Sequence, residues 1–440
     1  MRLLPALMLA AACTATGSDA PALTLSRKVP TVVKATWLGE ADSVSLVALD
    51  DEGAEFLRWP AELGDDGTWR AVTLGLHPAT RYCFRVELVV EGETDTSDCA
   101  ELSTGGLPDT LEPLVVDENT RNGGYFATGA ITTTPWAVIY DAGGVPVWWW
   151  AVTDPTAIVT RVHRARDGRS LLVNATSGIG TDPDAAMHIY RVAYDGAMLE
   201  SIATVGAHHD FVELPDGSLA WLAYEERVLD GVVRFGDVIV ERDPSGATRQ
   251  VWSAFDWFDF NDFELEINGS IVHANVLQYD AARDRYWVSL RNPGQYIAVD
   301  RGSGALVETL LGEGSDLALV LGTQPSYPHG FRWIDEETLL GMDNRESSAE
   351  VSRLVRYVFD REAGVAAETW EFTSDQGLHL LGLGDVTALP GGDVVALWST
   401  AGQIQRLDAD SQTVWRATSG IGTVFSYLEW WESPDTLPSP

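Results

Sequence analysis

Three of the eight histidines in this chain stand at one repeated place. His209, His273 and His329 each lie seven residues before a turn, at Asp216, Asp280 and Glu336. Equivalent positions in consecutive repeats about an axis point towards that axis, so the three imidazoles are predicted to meet at one mouth of a central channel. The same count reaches Thr160 and Gly384 in two other repeats, so the backbone there does not require histidine. Aligning Asp284–Arg291 with Gly217–Tyr224 sets Arg291 beside His273, Tyr224 near His209 and Asn344 near His329. A neutral imidazole, with an ordinary pKa of about 6.5, can act near neutrality as nucleophile, acid or base. A guanidinium beside it would fork onto an oxyanion, so the cluster reads as a locally basic pocket for an anion. Three convergent imidazoles also suit zinc or copper, but a neighbouring guanidinium would repel the metal.

The remaining histidines do not join this register. His208 is one residue out of step, and strand alternation sends it to the opposite face. His163 lies three places after Thr160 and faces away, while His77 and His188 read as packing or surface residues. His379 precedes Gly384 by five residues and is a candidate to approach the mouth.

The elements that must carry these residues are short strands. From Asp141 onwards the chain repeats a strand ending in Asp, a Gly- or Ser-containing turn and a second strand that often carries Trp. The markers are Asp141, Asp195, Asp243, Asp300, Asp360 and Asp408, about 53 residues apart. A second marker precedes most of them, as in Arg166-Asp167-Gly168 and Leu214-Pro215-Asp216-Gly217, and reads as the turn joining the first two strands of a unit. Six such units predict an all-β fold, a six-bladed β-propeller over residues 108–433 with a tail at 434–440. Ahead of it, alternating runs punctuated by Gly, Pro and Asp predict a small immunoglobulin- or fibronectin-like β-sandwich over 30–107. There Leu76-His77-Pro78-Ala79-Thr80-Arg81-Tyr82 looks like a tyrosine corner.

Residues 1–13, MRLLPALMLAAAC, combine one Arg, an apolar stretch and small residues leading into Cys13, the layout of an export signal. The segment resembles a bacterial lipoprotein signal with Cys13 as the lipidated residue, and 14–29 as a tether. Membrane contact is expected only through that anchor, and the protein is expected to be exported to the periplasm or cell envelope. Cys83 and Cys99 fall on neighbouring strands of a hairpin centred on Glu91, in register for a cross-strand disulfide. The net charge of −36 argues against a nucleic-acid partner, since phosphate binding needs clustered Lys and Arg. No cysteine cluster, calcium loop or glycine-rich phosphate loop calls for a metal or cofactor.

His208-His209-Asp210-Phe211, then His273-Ala274-Asn275, Ser289-Leu290-Arg291-Asn292, Pro328-His329-Gly330 and Asp343-Asn344 resemble, in order and spacing, the bacterial arylsulfate sulfotransferases. The resemblance implies a sandwich ahead of a six-bladed propeller. It also implies sulfuryl transfer from a phenolic sulfate ester to a phenolic acceptor, through a histidine and without an adenylated donor. It marks His329 as the nucleophile, His209, His273 and Arg291 as the other catalytic residues, and Asn275 as the Asn of an H-x-N motif. Asn275, Asn344 and Tyr224 are the expected substrate-binding residues. Tyr327, Phe331, Trp257 and Phe258 are aromatic candidates to stack on an aryl group. The acidic, aromatic stretch 255–268 departs from the family pattern. Two other readings stand beside this one: a three-histidine metal site, and a propeller that binds partners at the cell surface without catalysis.

Overall fold

Asp-Gly turns and alternating apolar positions dictate short antiparallel strands, and a computed structural model of the chain contains little else. It describes residues 19–120, 124–154, 156–177, 184–260, 270–420 and 423–433. The signal segment with Cys13, most of the 255–268 stretch and the 434–440 tail lie outside these residues. The chain divides into two units, 1–106 and 107–440.

The first unit is a two-sheet sandwich. One sheet pairs Ala22–Leu25, Val33–Leu38, Thr68–Val72 and Glu62–Leu63; the other pairs Glu55–Pro60, Ser43–Leu49, Arg81–Val90 and Glu93–Thr96, with Ala100–Ser103 also on Arg81–Val90. Strict alternation along Val33–Leu38 turns Val33, Ala35 and Trp37 into a core shared with Leu46, Trp59, Trp69 and Phe84. The hydroxyl of Tyr82 accepts the His77 backbone N–H at 3.1 Å, closing the tyrosine corner.

Two expectations for this unit need correction. The strand Ala22–Leu25 pairs with Val33–Leu38 inside the stretch read as a tether, because its alternation is too short to stand out. The hairpin is not centred on Glu91. Glu91 and Gly92 both take left-handed backbone, at φ 50° and 82°, making a two-residue turn that pairs Val90 with Glu93. An interruption at 97–99 then shifts the register again, so Cys83 stands opposite Glu101. Cys99 lies in that interruption and still bonds Cys83, with the Cα atoms 5.6 Å apart. The link closes a loop with a sequence separation of 16. Removing it as Cys83→Ala/Cys99→Ala is expected to cost the first unit about 3 kcal/mol. Denaturant unfolding of the double variant checks this, and an unchanged midpoint would contradict it.

The second unit is a six-bladed propeller. Blade 1 runs from Val424–Trp431 inside to Tyr125–Ile131, Pro135–Asp141 and Pro146–Ala151. Blades 2, 3 and 4 begin on the inside with Ala157–Arg164, Ala207–Glu213 and Ala274–Asp280. Blades 5 and 6 begin with Pro328–Trp333 and Asp385–Ala388. These six inner strands touch their neighbours in one closed ring. The ring is locked twice. The last strand of the unit forms the inner strand of blade 1, and Val115–Asn119 adds an outer strand to blade 6 by pairing with Thr413–Thr418.

The repeated Asp and Trp have a common physical origin. Each marker Asp caps the turn between the third and fourth strands of its blade, as when Asp141 Oδ1 accepts the Val145 N–H at 2.8 Å. The fourth-strand Trp then staples its blade to the next. Trp148 donates to the Tyr194 carbonyl at 2.8 Å, Trp370 to Ser411 Oγ at 2.9 Å and Trp415 to the Ala142 carbonyl at 2.7 Å. These acceptors all lie in or beside the Asp turn of the neighbouring blade. Apolar side chains fill the wedge between blades, for example Leu222, Ile239 and Trp252 of blade 3 against Tyr286, Val288 and Ile297 of blade 4.

Candidate active site

The inner strands start irregularly, and that irregularity builds the site. In blades 2 to 5 the pairing of first and second strands slips, between Val159 and Arg161, His208 and Phe211, Ala274 and Val276, and Pro328 and Phe331. His209 and His273 take left-handed backbone at φ 52°, as do Tyr327 and Leu383 at 68° and 60°. For a non-glycine residue this costs about 1 kcal/mol. The kink turns side chains that would lie along the sheet towards the axis instead.

The result is a cavity of 490 Å³ at one mouth of the channel, lined by His209, His273, His329 and Arg291. His209 is at the centre of the imidazole group, with ring centroids 5.0 Å from His273 and 5.9 Å from His329. Thr160 and Leu383 complete the circuit from blades 2 and 6. Apolar side chains also line it: Ile131, Ile158, Met187, Leu381 and Val424.

His329 is held in one tautomer. Its Nδ1 lies 3.0 Å from the carbonyl of Gly384, which can only accept, so Nδ1 carries the proton and Nε2 keeps its lone pair. The ring is 2% exposed and tilts over Tyr427 at 5.3 Å. The same carbonyl also accepts the Gly330 N–H at 3.2 Å. Glycine is needed at both ends of this contact. Gly384 sits at φ 101°, and a Cβ on Gly330 would come within 2.5 Å of Asp385 Cα.

Arg291 is anchored by its backbone N–H to the His273 carbonyl at 3.0 Å, and its guanidinium lies 3.6 Å over the Tyr327 ring. Nδ2 of Asn275 donates to the Pro328 carbonyl at 2.9 Å, and Nδ2 of Asn344 to the Leu383 carbonyl at 2.8 Å. Both amides are buried and neither lines the cavity, so these two residues, expected to bind substrate, instead fix the backbone on either side of His329 and Gly384. Tyr224 does line the cavity, but its ring stacks on His208 at 3.9 Å rather than on His209.

One residue further along three inner strands, Arg161 is 1% exposed and ties the ring together across the channel. It forks onto Asp210 at 2.8 and 2.9 Å and reaches Asp385 at 2.9 Å. Arg332 also reaches Asp385, at 3.3 Å, so two guanidiniums face two carboxylates, and the carboxylates accept the backbone N–H groups of Leu277 and Leu428 as well.

Burial, reinforced by neighbouring positive charge, sets the protonation of the imidazoles. Loss of solvent pushes His209, His273 and His329 well below the ordinary imidazole value, and Arg291 adds to each shift. All three rings are therefore neutral at pH 7. Among the described residues no group of His, Cys, Asp or Glu is arranged to hold a metal ion.

Two expectations fail here. His208 does not turn away: it lines the cavity, because the left-handed kink at His209 breaks the alternation that would have reversed it. Of the aromatic candidates, Phe331 is buried between blades 4 and 5 and Phe258 packs on the core of blades 3 and 4. Trp257 borders a separate cavity and Tyr327 is covered by Arg291. The apolar part of the lining is instead mostly aliphatic, with Met187 and Tyr224. His163 and His379 stay outside the cavity; His163 pairs with Glu429 at 2.5 Å.

Residues 112–316 match the family model described as Arylsulfotransferase (ASST). The match spans three strands of blade 1 and blades 2 to 4, with His209, His273 and Arg291, and His329 lies beyond it. Comparison with curated proteins finds no match. Similar solved structures include a protein of unknown function from Bacteroides caccae, 14% identical with a TM-score of 0.46, over 70% of this chain and 98% of that one. Virginiamycin B lyase from Staphylococcus aureus is 14% identical with a TM-score of 0.38, over 69% and 87% of the two chains. A putative 6-phosphogluconolactonase from Bacteroides uniformis is 13% identical with a TM-score of 0.40, over 89% and 100%.

Proposed function

From the match of residues 112–316 to the arylsulfotransferase family model we propose that the propeller moves a sulfuryl group from a phenolic sulfate ester to a phenol through His329. The observation that carries the reading is the convergence of three neutral imidazoles and one guanidinium on a single cavity. In the first step the lone pair on His329 Nε2 forms a bond to sulfur as the sulfur–oxygen bond to the aryl group breaks. The departing oxygen takes a proton from a neighbouring imidazole. In the second step an acceptor phenol returns a proton to that imidazole, and its oxygen displaces Nε2 from sulfur. Dividing one displacement into two is the gain from covalent catalysis. Arg291 forks onto the sulfuryl oxygens and holds them through both steps. The apolar part of the lining excludes water and receives the ring of donor or acceptor. No adenylated donor enters this scheme.

We also infer export and anchoring through a lipidated Cys13 in the cell envelope. The apolar segment before Cys13 and the Cys83–Cys99 disulfide support that reading.

The test is release of nitrophenol from 4-nitrophenyl sulfate with and without a phenol acceptor. Turnover that depends on the acceptor is expected, and release no faster than in buffer with a range of phenols would contradict the proposal. The pH dependence carries a sign. Because the imidazoles stay neutral well below their ordinary value, the rate should hold as pH falls through about 6.5 and decline only at lower pH. Stability moves the other way in that window. The unfolded chain takes up protons below about pH 6.5 that the folded site refuses, so folding weakens there by up to ~1.4 kcal/mol per histidine per pH unit. A rate that halves near pH 6.5 would be inconsistent with buried, neutral rings.

A further inference from the structure

Behind His209 lie two buried residues to which no role has been given, His208 and Asp237. His208 is 5% exposed and Asp237 is fully buried. His208 Nε2 lies 3.2 Å from Asp237 Oδ1, and His208 Nδ1 lies 2.9 Å from His209 Nδ1. The chain therefore runs from a carboxylate, through one ring, to a ring that faces the cavity. Asp237 is held by two further donors, the Ala274 N–H to Oδ1 at 3.1 Å and the Ser270 hydroxyl to Oδ2 at 2.7 Å. Burial works to raise its pKa, but the contact with His208 and the charge of that ring prevail and keep it below the ordinary carboxylate value.

The hydrogen-bond inventory fixes where protons can be. His208 Nε2 stands 3.2 Å from the ionised carboxylate, an ion-pair contact and not an aligned hydrogen bond, and that negative charge favours a proton on this nitrogen. A single proton must then lie between the two Nδ1 atoms. If it sits on His209, His208 is neutral and His209 presents a bare Nε2 to the cavity, the form of a base. If it sits on His208, that ring is an imidazolium against Asp237 and His209 presents an Nε2–H, the form of an acid. His209 stays neutral in both forms, whereas an imidazolium at His209 would stand buried against Arg291 and the other two rings. The titratable and charged groups facing this pair are Asp237 from the third strand of blade 3, Arg291 with His273 from blade 4, and His329 from blade 5. Tyr224 covers the His208 ring.

We propose that His208, held by Asp237, stores the one proton that the sulfuryl transfer exchanges, and that His209 relays it by switching tautomer. This rests on the sulfotransferase reading above. When the acceptor phenol loses its proton to His209 Nε2, the proton on His209 Nδ1 crosses to His208. When the next donor's aryl oxygen leaves, the transfer reverses: His208 returns its Nδ1 proton and His209 delivers one from Nε2. One proton enters and one leaves per cycle, so no further acid or base is needed. Asp237 and His208 are positioning residues, since in this scheme they act through His209 Nε2, which exchanges the proton with substrate.

The kinetic test is Asp237→Asn, assayed by single-turnover release from phenyl sulfate and from 4-nitrophenyl sulfate. Phenolate is a far poorer leaving group than nitrophenolate and depends on the acid. The variant should lose on the order of 10²-fold with phenyl sulfate and only a few-fold with the nitro compound. Equal losses with both, or none, would overturn the relay, because a merely structural role of Asp237 slows every donor alike. A second measurement needs no turnover. Imidazole ¹⁵N spectra of the full chain, with His208 and His209 assigned by His208→Gln and His209→Gln, report which nitrogens are protonated during acidification. The proton added should make His208 doubly protonated while His209 moves its own from Nδ1 to Nε2. A doubly protonated His209 with neutral His208 would overturn the proposal. If the spectra agree but the wild type transfers no sulfuryl group, the relay stands and the sulfotransferase reading falls.

Discussion

Replacing His329 with alanine is expected to lower sulfuryl transfer by on the order of 10⁴-fold or more, with folding retained. A covalent nucleophile is used in both half-reactions, so its loss cannot be offset by the rest of the site. The protein should survive the change. The Gly384 carbonyl that orients the ring keeps its bond from the Gly330 N–H, and the Asn275 and Asn344 amides still hold the adjoining backbone. The check is nitrophenol release beside a thermal unfolding curve. Full activity in a folded His329→Ala variant would move the nucleophile to another ring. The prediction matters because His329 lies outside the stretch that matches the family, so its role stands on geometry: a buried ring whose Nδ1 is committed to a carbonyl and whose Nε2 is left with a lone pair.

Arg291→Ala is expected to reduce kcat by about 10²–10³-fold, the usual consequence of removing one preorganised donor to a developing oxyanion. Arg291→Lys should recover only part of this, since an ammonium is a point charge without the fork. The alanine variant should also change the pH profile in a defined direction. Arg291 contributes to depressing all three imidazoles, so without it they hold a proton at higher pH. The acid limb of the rate should therefore move to higher pH. An acid limb that stays in place, or a loss confined to KM, would mean that the guanidinium binds substrate from a distance and does not share the imidazoles' field.

How much of this was written in the sequence depends on the distance over which each feature is determined. The six Asp turns are local: an Asx cap and, within five residues, a left-handed residue that is glycine in five turns and Ser411 in the sixth. They marked the blades, and counting back from the inner turns brought His209, His273 and His329 to one axis without reference to any tertiary contact. What failed was the assumption of regular alternation. His208 was sent to the wrong face because nothing local announces the left-handed backbone at His209, which is imposed by closing inner strands around the channel. The cysteine hairpin failed in the same way. A two-residue turn at Glu91-Gly92 and an interruption at 97–99 displaced a register that a straight count treated as uniform.

Other features were illegible because they belong to partners distant in sequence. Gly384 was recognised only as an equivalent position, yet its carbonyl, 55 residues from His329, selects the tautomer on which the chemistry depends. Asp237 gave no signal, since its significance comes from facing His208 across the blade and receiving Ser270 and Ala274 from the next. Asn275 and Asn344 carried a motif but are committed to backbone carbonyls. Tyr327, Phe331, Trp257 and Phe258 were aromatic candidates from their place in the sequence, but none of them lines the cavity, and Trp148, Trp370 and Trp415 staple neighbouring blades.

The most direct measurement is mass spectrometry of the protein quenched during turnover with 4-nitrophenyl sulfate in the absence of an acceptor, at a pH where N-sulfonated imidazole survives. The account predicts one sulfuryl group per chain, carried by the peptide that contains His329, and discharged when a phenol is added. A site that releases nitrophenol at the enzymatic rate while no adduct accumulates on His329, or an adduct mapped to another residue, would contradict it.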